Sequence, residues 1–269
     1  MAFTITDQVF LQYSTFLQDK VGICLREEKK TLLIARLSKR LRHYQIDSFK
    51  RYFDIVMGNS HPGEEQMMID LLTTNETYFF REPHHFDYLK NEVLSKHKHG
   101  KSFRIRSAAS STGEEAYSIA MLLADHFGLN GWEIIGSDVS SRVLKTAKRG
   151  KYLMDRIDGI PKNNLKKYCL KGFGSEEGSL LIDNTLRDNV NFSQINLKSH
   201  VPDLGLFDVI FLRNILIYFD METKRLIVKR VLSLLKPGGI FFIGHSETLK
   251  GVNESVKLLA ATTYKKTGS

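Results

Sequence analysis

Hydrophobic positions from Thr6 to about Asp70 recur every three to four residues in the stretches DQVFLQYSTFLQDKVG, REEKKTLLIARLSKRLRHY, SFKRYFDIVMG and EEQMMIDLL, and predict a run of helices. In the second stretch Leu33, Leu37 and Leu41 fall on one face, with Arg36, Lys39, Arg40 and His43 on the others. No β-rich segment precedes residue 100. After KHKHGK the texture changes: the short apolar runs FRIRSAAS, WEIIGSDVS, NVNFSQINL, FDVIFLRN and GGIFFIGHS alternate with helical stretches over 114–127, 140–148 and 223–235. This alternation predicts an α/β fold with a doubly wound parallel sheet. LLKPGG ends the last long helix, and AATTYKK follows too short a connection for a crossover helix, so an antiparallel hairpin is expected at that edge. From Lys171 to about Phe192 three glycines and short alternating runs predict a small antiparallel β insertion. The expected division is a helical domain over residues 1–72 and a sheet domain over 73–269 with the insertion at about 171–192.

Charge and composition narrow the class. A net charge of +9 implies an acidic partner: nucleic acid, anionic membrane or acidic protein. Cys24 and Cys169 lack metal-ligand spacing, which argues against a disulfide framework or zinc site and for a reducing cytoplasm. No apolar run approaches about 18 residues, and MAFTITDQVFLQY lacks a basic segment followed by an apolar core. A soluble, cytoplasmic protein without membrane insertion is expected.

In doubly wound sheets ligands sit beyond the carboxyl ends of the strands. The first run opens into RSAASSTGEEAYS, where a dinucleotide loop would carry three glycines and this one carries only Gly113. Glu114 and Glu115 at the helix start would repel a diphosphate and suit a cationic ligand, so the loop fits a nucleoside without phosphates. The second run ends at Asp138, 25 residues past Gly113, where an acid accepts hydrogen bonds from both ribose hydroxyls; Asp is also a favoured helix N-cap, and both roles stay open. The third ends at Asn196 and Leu197, an amide complementary to an adenine edge beside an apolar face. The fourth places Arg213, Asn214 and Tyr218 at the end of a buried strand, where a charge needs a partner, in a ligand site or in a structural ion pair. LLTTNETYFFREPHHF sets Asn75, Thr77 and Arg81 among aromatics at the seam between the domains, a common ligand position. His84 and His85 diverge by about 100° on a helix and read as solvated or capping residues, with no metal expected.

Adenosine, a positive centre and an amino-acid tail together describe S-adenosylmethionine. Adenine amino-methylation of DNA uses an Asp/Asn-Pro-Pro-aromatic loop where this chain has Leu212-Arg213-Asn214-Ile215, and cytosine C5 methylation needs a Pro-Cys pair, whereas Cys24 follows Ile23 and Cys169 follows Tyr168. Both nucleic-acid readings weaken. TTNETYFFREPHHF, SAASSTGEEAYSIA, SDVSSRVLKTAKRGKY, LRNILIYFD and GHSETL occur in the order and at the spacing of one family. On these motifs the chain resembles the chemotaxis receptor methyltransferases, CheR, over nearly its whole length.

The resemblance implies a Rossmann-like class I methyltransferase domain, transfer of a methyl group from S-adenosylmethionine to glutamate carboxylates of chemoreceptors, and S-adenosylhomocysteine as product. Asn75, Thr77, Arg81, one of Glu114 and Glu115, Asp138, Asn196, Leu197 and Asn214 are implied in cofactor binding, and Arg81 with Tyr218 nearest the transferred methyl; Arg213, from its place at the strand end, is expected in the same cofactor site. The insertion matches a β-subdomain that in some members docks a peptide from the receptor's C-terminus. The receptor's cytoplasmic part is a helical bundle displaying glutamates, and residues 20–51 carry ten Lys and Arg against three Asp and Glu. Arg36, Lys39 and Arg40 are therefore expected to steer it. An RNA methyltransferase and a cofactor-binding regulator without activity are the alternatives.

Overall fold

A computed structural model describes residues 3–58, 60–97, 102–199 and 202–268. Four helices open the chain, α1 (Asp7–Val21), α2 (Lys30–His43), α3 (Phe49–Met57) and α4 (Glu64–Leu72). Thr6 and Ser48 cap α1 and α3, each hydroxyl accepting the N–H three residues on. Leu33, Leu37 and Leu41 of α2 are fully buried against Tyr13, Leu17 and Tyr52, so the leucine spacing is the inward stripe of that helix. The polar centre of this domain is Glu64, which accepts Arg40 Nε at 2.8 Å and Nη2 at 2.7 Å, Tyr52 Oη at 2.6 Å and Tyr44 Oη at 3.0 Å. These bonds outweigh burial and hold the Glu64 carboxyl below its usual range.

The short helix α5 (Pro83–Tyr88) leads into the second domain, which alternates strands and helices: β1 (Phe103–Ala108), α6 (Glu114–Phe127), β2 (Trp132–Asp138), α7 (Ser141–Arg149), β3 (Lys151–Leu153), α8 (Lys162–Tyr168), β4 (Cys169–Lys171), β5 (Ser179–Ile182), α9 (Asn184–Arg187), β6 (Val190–Gln194), β7 (Phe207–Leu212), α10 (Met221–Ser233), β8 (Leu235–Ile243), β9 (Val256–Ala260) and β10 (Thr263–Lys266). The main sheet runs β6-β2-β1-β7-β8-β10-β9, parallel through β8 and closed by the antiparallel β10 and β9. The order reverses between β1 and β7, which opens a crevice at their carboxyl ends. Asp70, 3% exposed near the end of α4, accepts Ser141 N at 2.9 Å, Ser141 Oγ at 2.7 Å and Arg142 N at 3.2 Å, and so anchors the helical domain on the start of α7.

Two sequence expectations need correction. The insertion is a β3-β5-β4 antiparallel sheet that begins at Lys151, well before Lys171, and Val190–Gln194 is no part of it but pairs in parallel with β2 at the edge of the main sheet. Strands of three residues are too short to show an alternating pattern, and the glycines mark only the β4–β5 connection. LLKPGG does end the last long helix, which stops at Ser233, but it is not a free turn: Pro237, Gly238 and Gly239 already fall inside β8, where the pairing with β7 shifts register.

Candidate functional site

The crevice holds a cavity of about 590 Å³, walled by the helical domain, the linker before α5 and the loops at the carboxyl ends of β1, β2, β6 and β7. That volume suits a nucleoside-sized ligand. The β1–α6 loop turns sharply, with Ala109, Ser111 and Gly113 at φ 61, 50 and 97. Two of these are not glycine, and such strain is found at functional sites. Ser111 N–H donates to Asp138 Oδ2 at 3.0 Å and Ser140 N–H to Oδ1 at 2.9 Å, so Asp138 ties the β1 and β2 loops together while facing the cavity. Its burial pushes the carboxyl upward against these two bonds. The cap of α7 is Ser140, whose hydroxyl accepts Val143 N–H, so Asp138 is not that cap.

The two adjacent glutamates part company. Glu115 lines the cavity, whereas Glu114 turns toward the insertion, accepting Thr112 Oγ1 at 2.6 Å and facing Arg156 at 3.5 Å. Glu115 accepts Ser107 Oγ at 2.6 Å and pairs with Arg213 at 3.2 Å, yet burial still pushes its carboxyl upward. Arg213 also reaches Glu82 at 3.1 Å and the Arg81 carbonyl. Glu82 in turn accepts Asn214 Nδ2 at 3.0 Å and His245 N at 3.1 Å. Burial raises its carboxyl, but these donors prevail and hold it below its usual range.

Asn75, Thr77 and Arg81 line the linker side, the Arg81 guanidinium lying 5.5 Å from the Tyr78 ring centre and donating to the Glu76 carbonyl at 2.8 Å. Asn196 and Leu197 line it just beyond β6; the Asn196 amide donates to Lys20 O at 2.6 Å and accepts Lys198 N at 3.0 Å, leaving one N–H for a ligand. Tyr218, half-buried, lines the cavity, and its carbonyl accepts Cys24 N–H at 2.8 Å.

The α2 cations are elsewhere. Arg36 donates to the carbonyls of Leu72 at 3.2 Å and Thr73 at 2.8 Å, and Arg40 is paired with Glu64, so both side chains are tied into the fold; Lys39 alone of the three is exposed. The exposed cations that border the cavity are Arg26 and Lys29, in the turn after α1, which the sequence reading passed over. His85 also departs from expectation: it is 0% exposed, packed 5.0 Å from the Phe242 ring with Nε2 2.8 Å from Thr262 Oγ1. Burial and then Arg213 lower its pKa to about 3, so the ring is neutral. His84 is exposed, as expected for a solvated residue. Ligand atoms of Glu82, His84 and His85 fall within 4.8 Å of one another, but Glu82 is already engaged by Arg213, Asn214 and His245.

Residues 75–265 match the family described as the CheR methyltransferase SAM binding domain, and residues 8–73 its all-alpha domain. The chain belongs to the CheR methyltransferase family. It is 38% identical to the chemotaxis protein methyltransferase of Salmonella typhimurium, with 97% of this chain and 90% of that protein covered. The same identity and coverage of this chain hold for the Escherichia coli chemotaxis protein methyltransferase, of which 91% is covered, and for chemotaxis protein methyltransferase 2 of Pseudomonas aeruginosa, of which 94% is covered. This CheR chain is thus an S-adenosylmethionine-dependent methyltransferase. Glu82 and Glu247, which organise its site, went unassigned in the sequence although both lie inside quoted motifs, REPHHF and GHSETL.

Proposed function

We propose that this enzyme methylates glutamate side chains on the cytoplasmic helical bundle of chemoreceptors, forming glutamate methyl esters, and works in the cytoplasm. Among the described residues no helix is long and apolar enough to cross a membrane. The observation that carries the reading is a single cavity lined both by the acids Asp138 and Glu115 and by Arg81 and Tyr218. The fit to the methyl donor is chemical: one buried carboxylate at the end of β2 for a ribose diol, an amide and a leucine for adenine, a second carboxylate for a cationic group, and a loop without a phosphate-binding glycine run. Asn75, Thr77, Arg81, Glu115, Asp138, Asn196, Leu197 and Asn214 hold the donor in this reading, and Arg213 supports Glu115; Glu114 is left out because it faces the insertion.

The bound donor supplies an electrophilic methyl group on a sulfonium. A substrate glutamate is ionised at neutral pH, with an ordinary pKa of about 4.3, so no general base is needed. Arg81 and Tyr218 orient that carboxylate and the cavity walls exclude water, which makes catalysis mainly a matter of positioning. The helical domain and the cations at the opening meet the receptor's acidic face. The outer strands of the small sheet, with Leu153 and Leu170 exposed and Phe173 86% exposed nearby, offer an edge to which a receptor C-terminal peptide adds as a further strand.

Incubation with radiolabelled S-adenosylmethionine and receptor cytoplasmic fragments tests the function. Label that alkali releases as methanol is expected, as from an ester. Alkali-stable label, or label on RNA only, overturns the reading.

A further inference from the structure

The turn that carries Tyr218 is folded around a carboxylate from a different strand. After β7 the chain passes through Asn214 in the left-handed region, at φ 57, and then makes a single 3-10 turn over Leu216–Tyr218. A change of handedness of this kind aims successive backbone N–H groups to one side, forming a concavity suited to an anion. The side chain of Glu247, beyond the end of β8, fills it. Glu247 Oε1 accepts Leu216 N–H at 2.6 Å, and Oε2 accepts Asn214 N–H at 3.0 Å and Gly244 N–H at 2.6 Å.

Glu247 is 9% exposed and is not among the residues lining the cavity, so it meets the reaction only through the turn. Gly244 makes the arrangement possible: a Cβ there would stand 2.6 Å from Asn214 N and 2.9 Å from Glu247 Oε2. From the other side the helical domain holds the same turn, through Cys24 N–H on the Tyr218 carbonyl and a β-bridge between Ile23 and Phe219. The main chain at Tyr218 is therefore fixed by both domains, and Glu247 supplies the sheet domain's share. Both carboxylate oxygens face donors, so glutamine would turn an N–H against an N–H.

We propose that Glu247 is a positioning residue for methyl transfer, holding the Asn214–Tyr218 turn so that the Tyr218 hydroxyl meets the reacting carboxylate. This rests on the reading of Tyr218 given above.

The test is a double-mutant cycle of Glu247→Gln and Tyr218→Phe in the full chain, with kcat and KM on receptor fragments, S-adenosylhomocysteine affinity and melting temperature. Glu247→Gln is expected to lower kcat by roughly tenfold or more, a larger factor than any weakening of cofactor affinity that it causes through Asn214. In the double variant kcat falls no further than in the slower single variant, because without the hydroxyl there is nothing left to position. If the two losses multiply, Glu247 acts independently of the Tyr218 hydroxyl and the proposal is overturned, while the methylation function stands. Wild-type turnover of Tyr218→Phe overturns the role of Tyr218 instead, and this inference with it. Should Glu247→Gln fail to fold, Gly244→Ala, which crowds the same Asn214 N–H, takes its place in the cycle with the same outcomes.

Discussion

Arg106 sits on β1 and Arg213 directly follows the neighbouring β7; they are 0% and 6% exposed, in opposite surroundings. At the carboxyl end of β7, Arg213 is met by Glu82, Glu115 and the Arg81 carbonyl. Midway along β1, none of the three guanidinium nitrogens of Arg106 has an acceptor among the described residues. Burial alone pushes the Arg106 pKa down to about 10. The same side chain is thus a keystone in one place and a liability in the other. Partners, not burial, decide which.

Removing the keystone carries the largest expected effect. Arg213→Met leaves the largely shielded Glu82 and Glu115, with side chains 12% and 14% exposed, without their cation, at a cost of about 3 kcal/mol. Urea denaturation reads this as a lower midpoint at unchanged slope. A loss below about 1 kcal/mol would mean that the two carboxylates are solvated or protonated and that the cluster is no keystone.

The converse holds at Arg106. Its folded pKa lies below the unfolded value, so the charged form is disfavoured by the fold at every pH below about 10. The penalty fades only as pH rises from there toward the unfolded value. A displacement of that size corresponds to an order of 3 kcal/mol. Arg106→Met keeps the volume and removes the charge, and is expected to raise stability by about 2 kcal/mol at pH 7, several degrees in melting temperature. A lower melting temperature would show that Arg106 has a partner in solution.

The two arginines also show what a sequence discloses. That Arg213 needed a partner was legible, because a cation between Leu212 and Asn214 at a strand end is untenable alone; which carboxylates answer it was not, since Glu82 stands far away in the chain and the fold brings it there. Asp138 and Asn196 could be picked out because a doubly wound sheet puts ligands at strand ends. Glu247 could not, because its partners are backbone N–H groups, which carry no sequence signature. The basic stretch of α2 disclosed its sign but not that Glu64 and two carbonyls already engage Arg40 and Arg36.

Asp138 lies between the extremes, a buried acid met by backbone donors and facing the cavity. Asp138→Ala is expected to weaken S-adenosylhomocysteine binding by about 1.5 to 3 kcal/mol, roughly ten- to a hundredfold. Calorimetry on a variant of retained melting temperature reads it. Unchanged affinity would leave Asp138 as a tie between two loops and nothing more.

The smallest effect belongs to charges that stay in water, where steering acts on encounter and hardly on stability. Arg36 and Arg40 cannot serve as steering probes, since reversing either sets an acid against carbonyls or against Glu64 and damages the fold before the receptor is met. Lys39 is exposed on α2 away from the cavity, whereas Arg26 and Lys29 are exposed residues of the cavity border. Steering is screened over about 8 Å at physiological salt, so a charge counts in proportion to its nearness to the place where the glutamate enters. Reversal of Arg26 and Lys29 to Glu is expected to raise the receptor KM severalfold at low salt, with the difference shrinking as salt is added. Lys39→Glu should change KM by less than about twofold, and surface reversals of both kinds should leave stability within about 0.5 kcal/mol. If Lys39→Glu proves the more damaging to KM, the receptor bundle lies along α2 and not across the opening. The charge count along residues 20–51 would then be a better guide to docking than the border of the cavity.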